Sequence, residues 1–287
     1  MSYLERVQEC HHYQRNDYVD FVIADEVMGL TKLEFAEHLQ RWENVFQQQN
    51  QQLILNPALA DFEQRTQAVA PIMQQLHQEG VIAGWVDELY AVSHRFDEQP
   101  KMALERAAAS YLGIRGYGIH VNGLVKKSDG IYNWVAVRAK DKPFWPGRFD
   151  QIVAGGQGIG IGLMENVIKE SAEEADIPKE LAAQAQQRTT LHYCYASSRG
   201  IYMSTLFNYD LWLPEDFTPV NTDGEVDEFV LMPLQQVAEI IKSTDNFKAN
   251  CNLVNIDLLI RSGILDASHA DFNAITELLY APAVQLN

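Results

Sequence analysis

Residues 155–177 read GGQGIGIGLMENVIKESAEEADI. Gly155, Gly156, Gly158, Gly160 and Gly162 predict a turn that lets a ligand approach the backbone closely. A helix over Leu163 to Ala175 follows, limited by Pro178. At about 100° per residue, Glu170, Glu173 and Glu174 share one sector with Asn166, while Met164, Ile168, Ala172 and Ala175 lie on the other side. The acidic face sets like charges three and four residues apart, in the half of the helix where the macrodipole disfavours anions. A divalent cation would relieve both penalties. Mg²⁺ suits carboxylates that share it with substrate phosphate oxygens. A solvated acidic face is the plain alternative. The glycines lack the Gly-Lys-Ser/Thr ending of a Walker loop.

Upstream, the pattern from Gly116 is one of strands, over Gly118 to Val125, Tyr132 to Lys140 and Phe149 to Ala154. Downstream, strands are expected at Leu191 to Ala196, Ile201 to Leu211 and Glu225 to Leu231, with helices at Pro233 to Ser243 and Cys251 to Arg261. Such mixing predicts a sheet covered on both faces. Residues before about Arg115 read differently. Phe21-Val22-Ile23 and Val27-Met28 suggest a small hairpin. Thr31 with Glu34 has the spacing of a capping box, and Gln47 to Gln52 reads as a polar loop or a frayed helix end. A helix is expected over Asp61 to Gln78 despite Pro71, a strand over Leu89 to Val92, and a helix from Met102 to Tyr111 closed by Gly113. The division is therefore residues 1–115 and 116–287.

The chain of 287 residues is 47% apolar and 21% charged, an ordinary globular composition. Its net charge of -17, from 39 acidic and 22 basic residues with no Lys/Arg run, argues against nucleic acid and anionic membrane surfaces as partners. Cys10, Cys194 and Cys251 have no metal-type spacing and fit free thiols in a reducing cytosol. Met1 to Cys10 has no apolar signal core, and no stretch approaches the roughly 18 apolar residues of a membrane span, so a cytoplasmic location is expected.

Residues 155–177 resemble the Nudix box: Gly, five residues, Glu, seven residues, Arg-Glu, apolar, any, Glu-Glu, any, Gly, apolar. Gly155 matches the opening glycine, Glu170, Glu173 and Glu174 the later glutamates, and Ile177 the last apolar position. Ile161 stands at the first Glu, Lys169 at Arg, Ser171 at the apolar position and Asp176 at the last Gly. ERVQECHH (5–12), FEQRTQAV (62–69), GWVDELYAV (84–92) and ERAAASYLGIRGYGIHVNG (105–123) resemble the domain of unknown function fused before a Nudix domain in proteins related to thiamine pyrophosphokinases. The similarity reaches about residue 245. It implies an α+β chain: a Nudix α/β/α sandwich with a mixed sheet, preceded by a smaller, mostly helical α+β domain. It also implies Mg²⁺- or Mn²⁺-assisted attack of water on a small-molecule diphosphate, with thiamine diphosphate or an oxidised form leading.

On that resemblance Glu170, Glu173 and Glu174 are expected to bind metal, and either Glu174 or Glu225 to deprotonate the water. Arg138, Lys169, His120, Asn122, Gly155 and Gly156 are candidate substrate contacts, with Arg148 a weaker one. His120 and Asn122 alternate on a strand, where a satisfied internal residue is the commoner outcome. Trp134, Trp145 and Trp212 could stack on a heteroaromatic ring, or serve as core. The His11-His12 pair reads as surface. The first region carries no chemistry of its own and is expected to cap the pocket or form a homodimer interface. Two other readings stand beside hydrolysis. A non-catalytic ligand sensor is suggested by Ile161. An isopentenyl diphosphate isomerase would need Asn-Thr-Cys, which neither His-Tyr-Cys194-Tyr nor Ala-Asn-Cys251-Asn supplies.

Overall fold

The computed structural model of the protein describes residues 1–142 and 144–286. The first region contains helix α1 (Tyr3–Glu9), strands β1 (Tyr18–Ile23) and β2 (Glu26–Lys32), helix α2 (Leu33–Leu39), strands β3 (Phe46–Gln49) and β4 (Gln52–Leu55), helix α3 (Phe62–Gln78), strands β5 (Leu89–Ala91) and β6 (Ala103–Glu105), and the short helix α4 (Ala109–Leu112). Strands β2-β1-β4-β3 form one sheet, and β5 pairs with β6. Asp61 caps α3 by accepting the Gln64 N–H at 2.8 Å, and the helix runs through Pro71. Its Val69, Ile72, Met73 and Leu76 pack with Phe21, Phe46 and Leu53 in one core.

Three expectations for this region are corrected. Thr31 ends up buried in β2, where its hydroxyl donates to the Leu112 carbonyl at 3.2 Å, and α2 starts without a side-chain cap. The glutamine-rich segment 47–52 is part of the β3–β4 hairpin, turned by Asn50 and Gln51 at φ 51 and 63. Residues 102–111 divide into β6, a 3₁₀ turn over Arg106–Ala108, and α4, closed by Gly113 at φ 61.

The second region contains β7 (Arg115–Lys127), β8 (Gly130–Arg138), β9 (Phe149–Gln151), β10 (Val153–Gly156), α5 (Leu163–Ala175), α6 (Lys179–Ala182), β11 (Gln186–Ser197), β12 (Gly200–Trp212), β13 (Val226–Pro233), α7 (Leu234–Ser243), α8 (Ala249–Arg261) and α9 (Phe272–Leu279). The strands form a seven-stranded sheet in the order β11-β12-β7-β8-β13, with β10 paired to β7 and β9 to β8. Strand β12 runs parallel to β7; the other pairings are antiparallel. Alternation along β7 sends Ile119 and Val121 toward Val167 and Ala175 of α5, and Leu124 toward the opposite layer with Val237 of α7, Leu258 of α8 and Leu279 of α9. This is the expected α/β/α sandwich with a mixed sheet.

Helix α1 comes from the first stretch of sequence yet packs in the second core, through Tyr3 and Val7. Arg6 Nε donates to the Ile241 carbonyl at 3.0 Å, and the Cys194 and Ala196 N–H groups donate to the carbonyls of Cys10 and His12, each at 2.9 Å. No helix among the described residues is long and apolar enough to cross a membrane.

Candidate active site

Helix α5 delivers the three glutamates to different surroundings. Glu174 is buried, and its Oε2 accepts the Ala154 N–H at 2.9 Å. Burial pushes its pKa well up, and the neighbouring carboxylates of Asp150, Glu170 and Glu225 add to this against the Ala154 hydrogen bond. Glu170 lies against Gly155: a Cβ at that glycine would fall 2.5 Å from the Glu170 carboxyl carbon. The opening glycine of the box is therefore needed for close approach of β10 to α5. Glu170 is also shifted up, first by burial, while Lys169 opposes the shift. Glu173 turns outward. Lys169 Nζ bridges it to Glu170 at 2.9 and 3.0 Å.

The three carboxylates do not close on one point. Among the described residues, the group of three potential metal ligands whose atoms lie within 4.8 Å of one another is His120, Asp150 and Cys251. Asp150 in that group is already occupied by donors: it accepts from the Cys251 thiol at 2.9 Å and, from outside the group, from Lys248 Nζ at 2.6 Å. Glu170 and Glu174 still have the character of a cation site. Both are carboxylates whose pKa burial raises, and Glu170 adds to the rise at Glu174, where the Ala154 N–H acts against it. The donor set fits a hard divalent ion.

A cleft of about 400 Å³ is walled by Ala154 and Glu225 of the second region and by Tyr90 and Arg106 of the first; the box glutamates do not line it themselves, and Ala154, bonded to Glu174, connects the two. Arg138 and Lys248 line it, and both ion-pair with Asp150, at 3.2 and 2.6 Å. Burial opposes ionisation of Asp150, but Lys248, then His120 and Arg138, more than reverse this and hold its pKa below the ordinary range. Two cations on one buried carboxylate leave a net positive charge facing the cleft, a setting for phosphate oxygens. Lys142 pairs with Glu225 at 2.9 Å, and the Arg199 guanidinium lies 3.8 Å from the Phe144 ring centroid.

Of the expected contacts, Arg138, Glu225 and Trp145 line the cleft. His120 and Asn122 lie in the interior instead. His120 meets Gln151 at 2.8 Å, and Asn122 donates to Asp210 at 2.9 Å. Burial first, then Lys248, lowers the His120 pKa to about 4, so the ring is neutral. Lys169 sits on the outer side of α5. Gly155 and Gly156 lie on opposite faces of β10, the first toward Glu170 and the second toward Tyr90 and Arg106. Trp134 is core, and Trp212 is exposed away from the cleft. The isomerase reading loses its nucleophile, because Cys194 and Cys251 are buried and burial raises both thiols.

The sequence reading misses Arg106, Lys142, Arg199 and Lys248, together with the tyrosines of the cleft wall. Tyr193 stacks on Tyr195 with centroids 5.8 Å apart, and Tyr195 on Tyr202 at 5.3 Å. The Tyr-x-Tyr alternation at 193 and 195 places two rings on one face of β11, the pattern that marks them.

Residues 2–116 match a domain of unknown function, DUF4743. The chain is 39% identical over 268 residues to Nudix hydrolase 24, chloroplastic, of Arabidopsis thaliana, covering 92% of this chain and 73% of that protein. The chain belongs to the Nudix hydrolase family. Nudix hydrolase 20, chloroplastic, of the same plant is 38% identical, with 92% of this chain and 74% of that protein covered. Among solved structures, the Deinococcus radiodurans protein DR0079 overlays 59% of this chain and 98% of its own at 17% identity and a TM-score of 0.43. Membership makes the chain a Nudix pyrophosphohydrolase, an enzyme of acid anhydrides, and accounts for a glutamate helix set directly after a glycine-rich strand.

Proposed function

We propose that the cleft cleaves a diphosphate linkage in a small molecule that carries an aromatic ring, with thiamine diphosphate or an oxidised derivative as the leading substrate. The observation that carries this reading is the pair of cations, Arg138 and Lys248, anchored on buried Asp150 beside the glutamate helix. The tyrosine wall offers the ring a stacking surface. Glu170 and Glu174 would hold Mg²⁺ or Mn²⁺, joined by Glu173 if it leaves Lys169, and the ion would supply charge neutralisation and a more acidic water. Arg138 and Lys248 fix the phosphate oxygens, and Glu225 at the cleft wall, or Glu174, takes the proton of the attacking water. Residues 1–115 act as an accessory part of the same site.

A panel of thiamine diphosphate, its oxidised analogues, nucleoside diphosphate sugars and dinucleotides, assayed with Mg²⁺ and with Mn²⁺, tests the substrate class. Release of phosphorylated products from a ring-bearing diphosphate is the expected result; no turnover of any member overturns it. Glu174→Gln is expected to abolish turnover. Glu225→Gln is expected to lower kcat by about 100-fold or more with KM little changed, if the general base is there. An unchanged kcat for Glu225→Gln assigns the base to Glu174.

The second reading is a non-catalytic sensor. It is favoured by Ile161 at the first glutamate position and by glutamates that do not converge. It predicts saturable ligand binding without product release, and binding undiminished in Glu174→Gln.

A further inference from the structure

Arg106 follows β6 at the start of the 3₁₀ turn, and its backbone N–H donates to the Glu88 carbonyl at 2.8 Å. The first region is fastened to the glycine-rich turn beside it by other groups. The Ile159 N–H donates to the Leu89 carbonyl at 2.8 Å, and the Tyr90 hydroxyl sits where a side chain at Gly156 would be. A Cβ at Gly156 would also lie 3.1 Å from the Arg106 guanidinium carbon, so the arginine rests over the bare backbone of the box's second glycine.

An arginine whose work was only to dock the two regions would pair with a carboxylate across the boundary. Among the described residues, the carboxylate hydrogen-bonded to Arg106 is Glu88 of its own region, through Nη1 at 2.7 Å; Glu170 across the boundary attracts the guanidinium without bonding to it. The Arg106 side chain stays 45% exposed and lines the same cleft as Arg138 and Lys248. A guanidinium has five N–H donors, so the Glu88 bond and the neighbouring Tyr90 hydroxyl still leave donors for a second anion. The Tyr90 ring, 5.7 Å from the guanidinium, supports the head group from one side.

We propose that Arg106 is a substrate-binding residue supplied by the first region, which takes a phosphate oxygen of the bound diphosphate opposite Arg138 and Lys248 and so makes the site a composite of both regions. The inference rests on the diphosphatase reading of the cleft. It assigns the first region a direct part in substrate choice: the ligand must span cations on both walls, which favours a diphosphate over a monophosphate.

The test is titration calorimetry of the full chain with methylenediphosphonate, a diphosphate analogue whose P–C–P link water does not cleave, in Mg²⁺ buffer. Arg106→Ala is expected to weaken binding about 10- to 100-fold. Arg106→Lys should recover part of the loss, because charge returns without the fork. Arg41→Ala removes the same charge at the remote Glu79 pair and should leave binding unchanged. Melting curves establish that each variant is folded, and Arg106→Gln replaces the alanine variant if that one is not. Wild-type binding that Arg106→Ala leaves intact, or that Arg41→Ala weakens equally, overturns this inference and spares the diphosphatase reading. A wild type that binds no methylenediphosphonate overturns both.

Discussion

At the scale of single residues, the site depends on Asp150. It is buried beneath the cleft, and Lys248, Arg138 and the Cys251 thiol converge on it. Lys248 is itself buried deeply enough that burial would lower its pKa, and Asp150 more than offsets this. Removing one partner of such a pair leaves the other charge uncompensated. Lys248→Met is therefore expected to destabilise the fold by about 3–5 kcal/mol, less whatever Arg138 recovers by closing on Asp150. Urea unfolding checks this, and a midpoint equal to the wild type would show that Arg138 alone neutralises the carboxylate. The glutamates of the box were legible because they lie within one helix turn of each other. Lys248 and Arg199 were not, since they are far from the box in sequence and reach the cleft only once α8 and the β11–β12 hairpin are in place.

At the scale of elements, α5 was legible to both ends. A glycine run precedes it, Pro178 follows, and its apolar residues keep a helical period. The β3–β4 hairpin was not, because β3 is largely polar and the turn is Asn-Gln rather than Asn-Gly. Both turn residues have positive φ, which suits a two-residue hairpin loop but costs a non-glycine residue about 1–2 kcal/mol. Gln51→Gly is expected to raise stability by up to about 1 kcal/mol, read as a higher melting temperature. A lower one would mean that the glutamine side chain contributes more than its backbone strain costs. Thr31 shows the opposite failure. A capping pattern is local, and in the folded chain the residue that fits it is claimed by the Leu112 carbonyl.

At the scale of the whole molecule, the net charge of -17 coexists with a cationic cleft, so a summed charge says little about what one pocket binds. Acid should loosen the fold through His120. Its folded pKa is about 4, below the ordinary 6.5, so the unfolded chain takes up a proton first as pH falls. The neutral ring's contribution is complete above pH 6.5 and is lost between there and pH 4, at most about 3 kcal/mol. Asp150 acts in the same direction at lower pH. Glu174 and Glu170, whose pKa values burial raises, act the other way, since the fold binds their protons before the unfolded chain does. His120→Asn should therefore shift the change in melting temperature between pH 6.5 and 4 in favour of the acid end; an unchanged pH dependence would assign it to the other groups.

Helix α1 gives the chain an order in space that differs from its order in sequence. The thread begins in the catalytic sandwich, leaves near His12 to build the accessory sheet, and returns at β7. Cutting the chain at residue 116 would strip the sandwich of a helix and expose the apolar floor that Tyr3 and Val7 cover. Any exchange of accessory modules between related enzymes, in evolution or by design, would have to be made as an insertion with two junctions, the first near residue 13. The module would thus be inherited as a loop of its partner rather than as a detachable head.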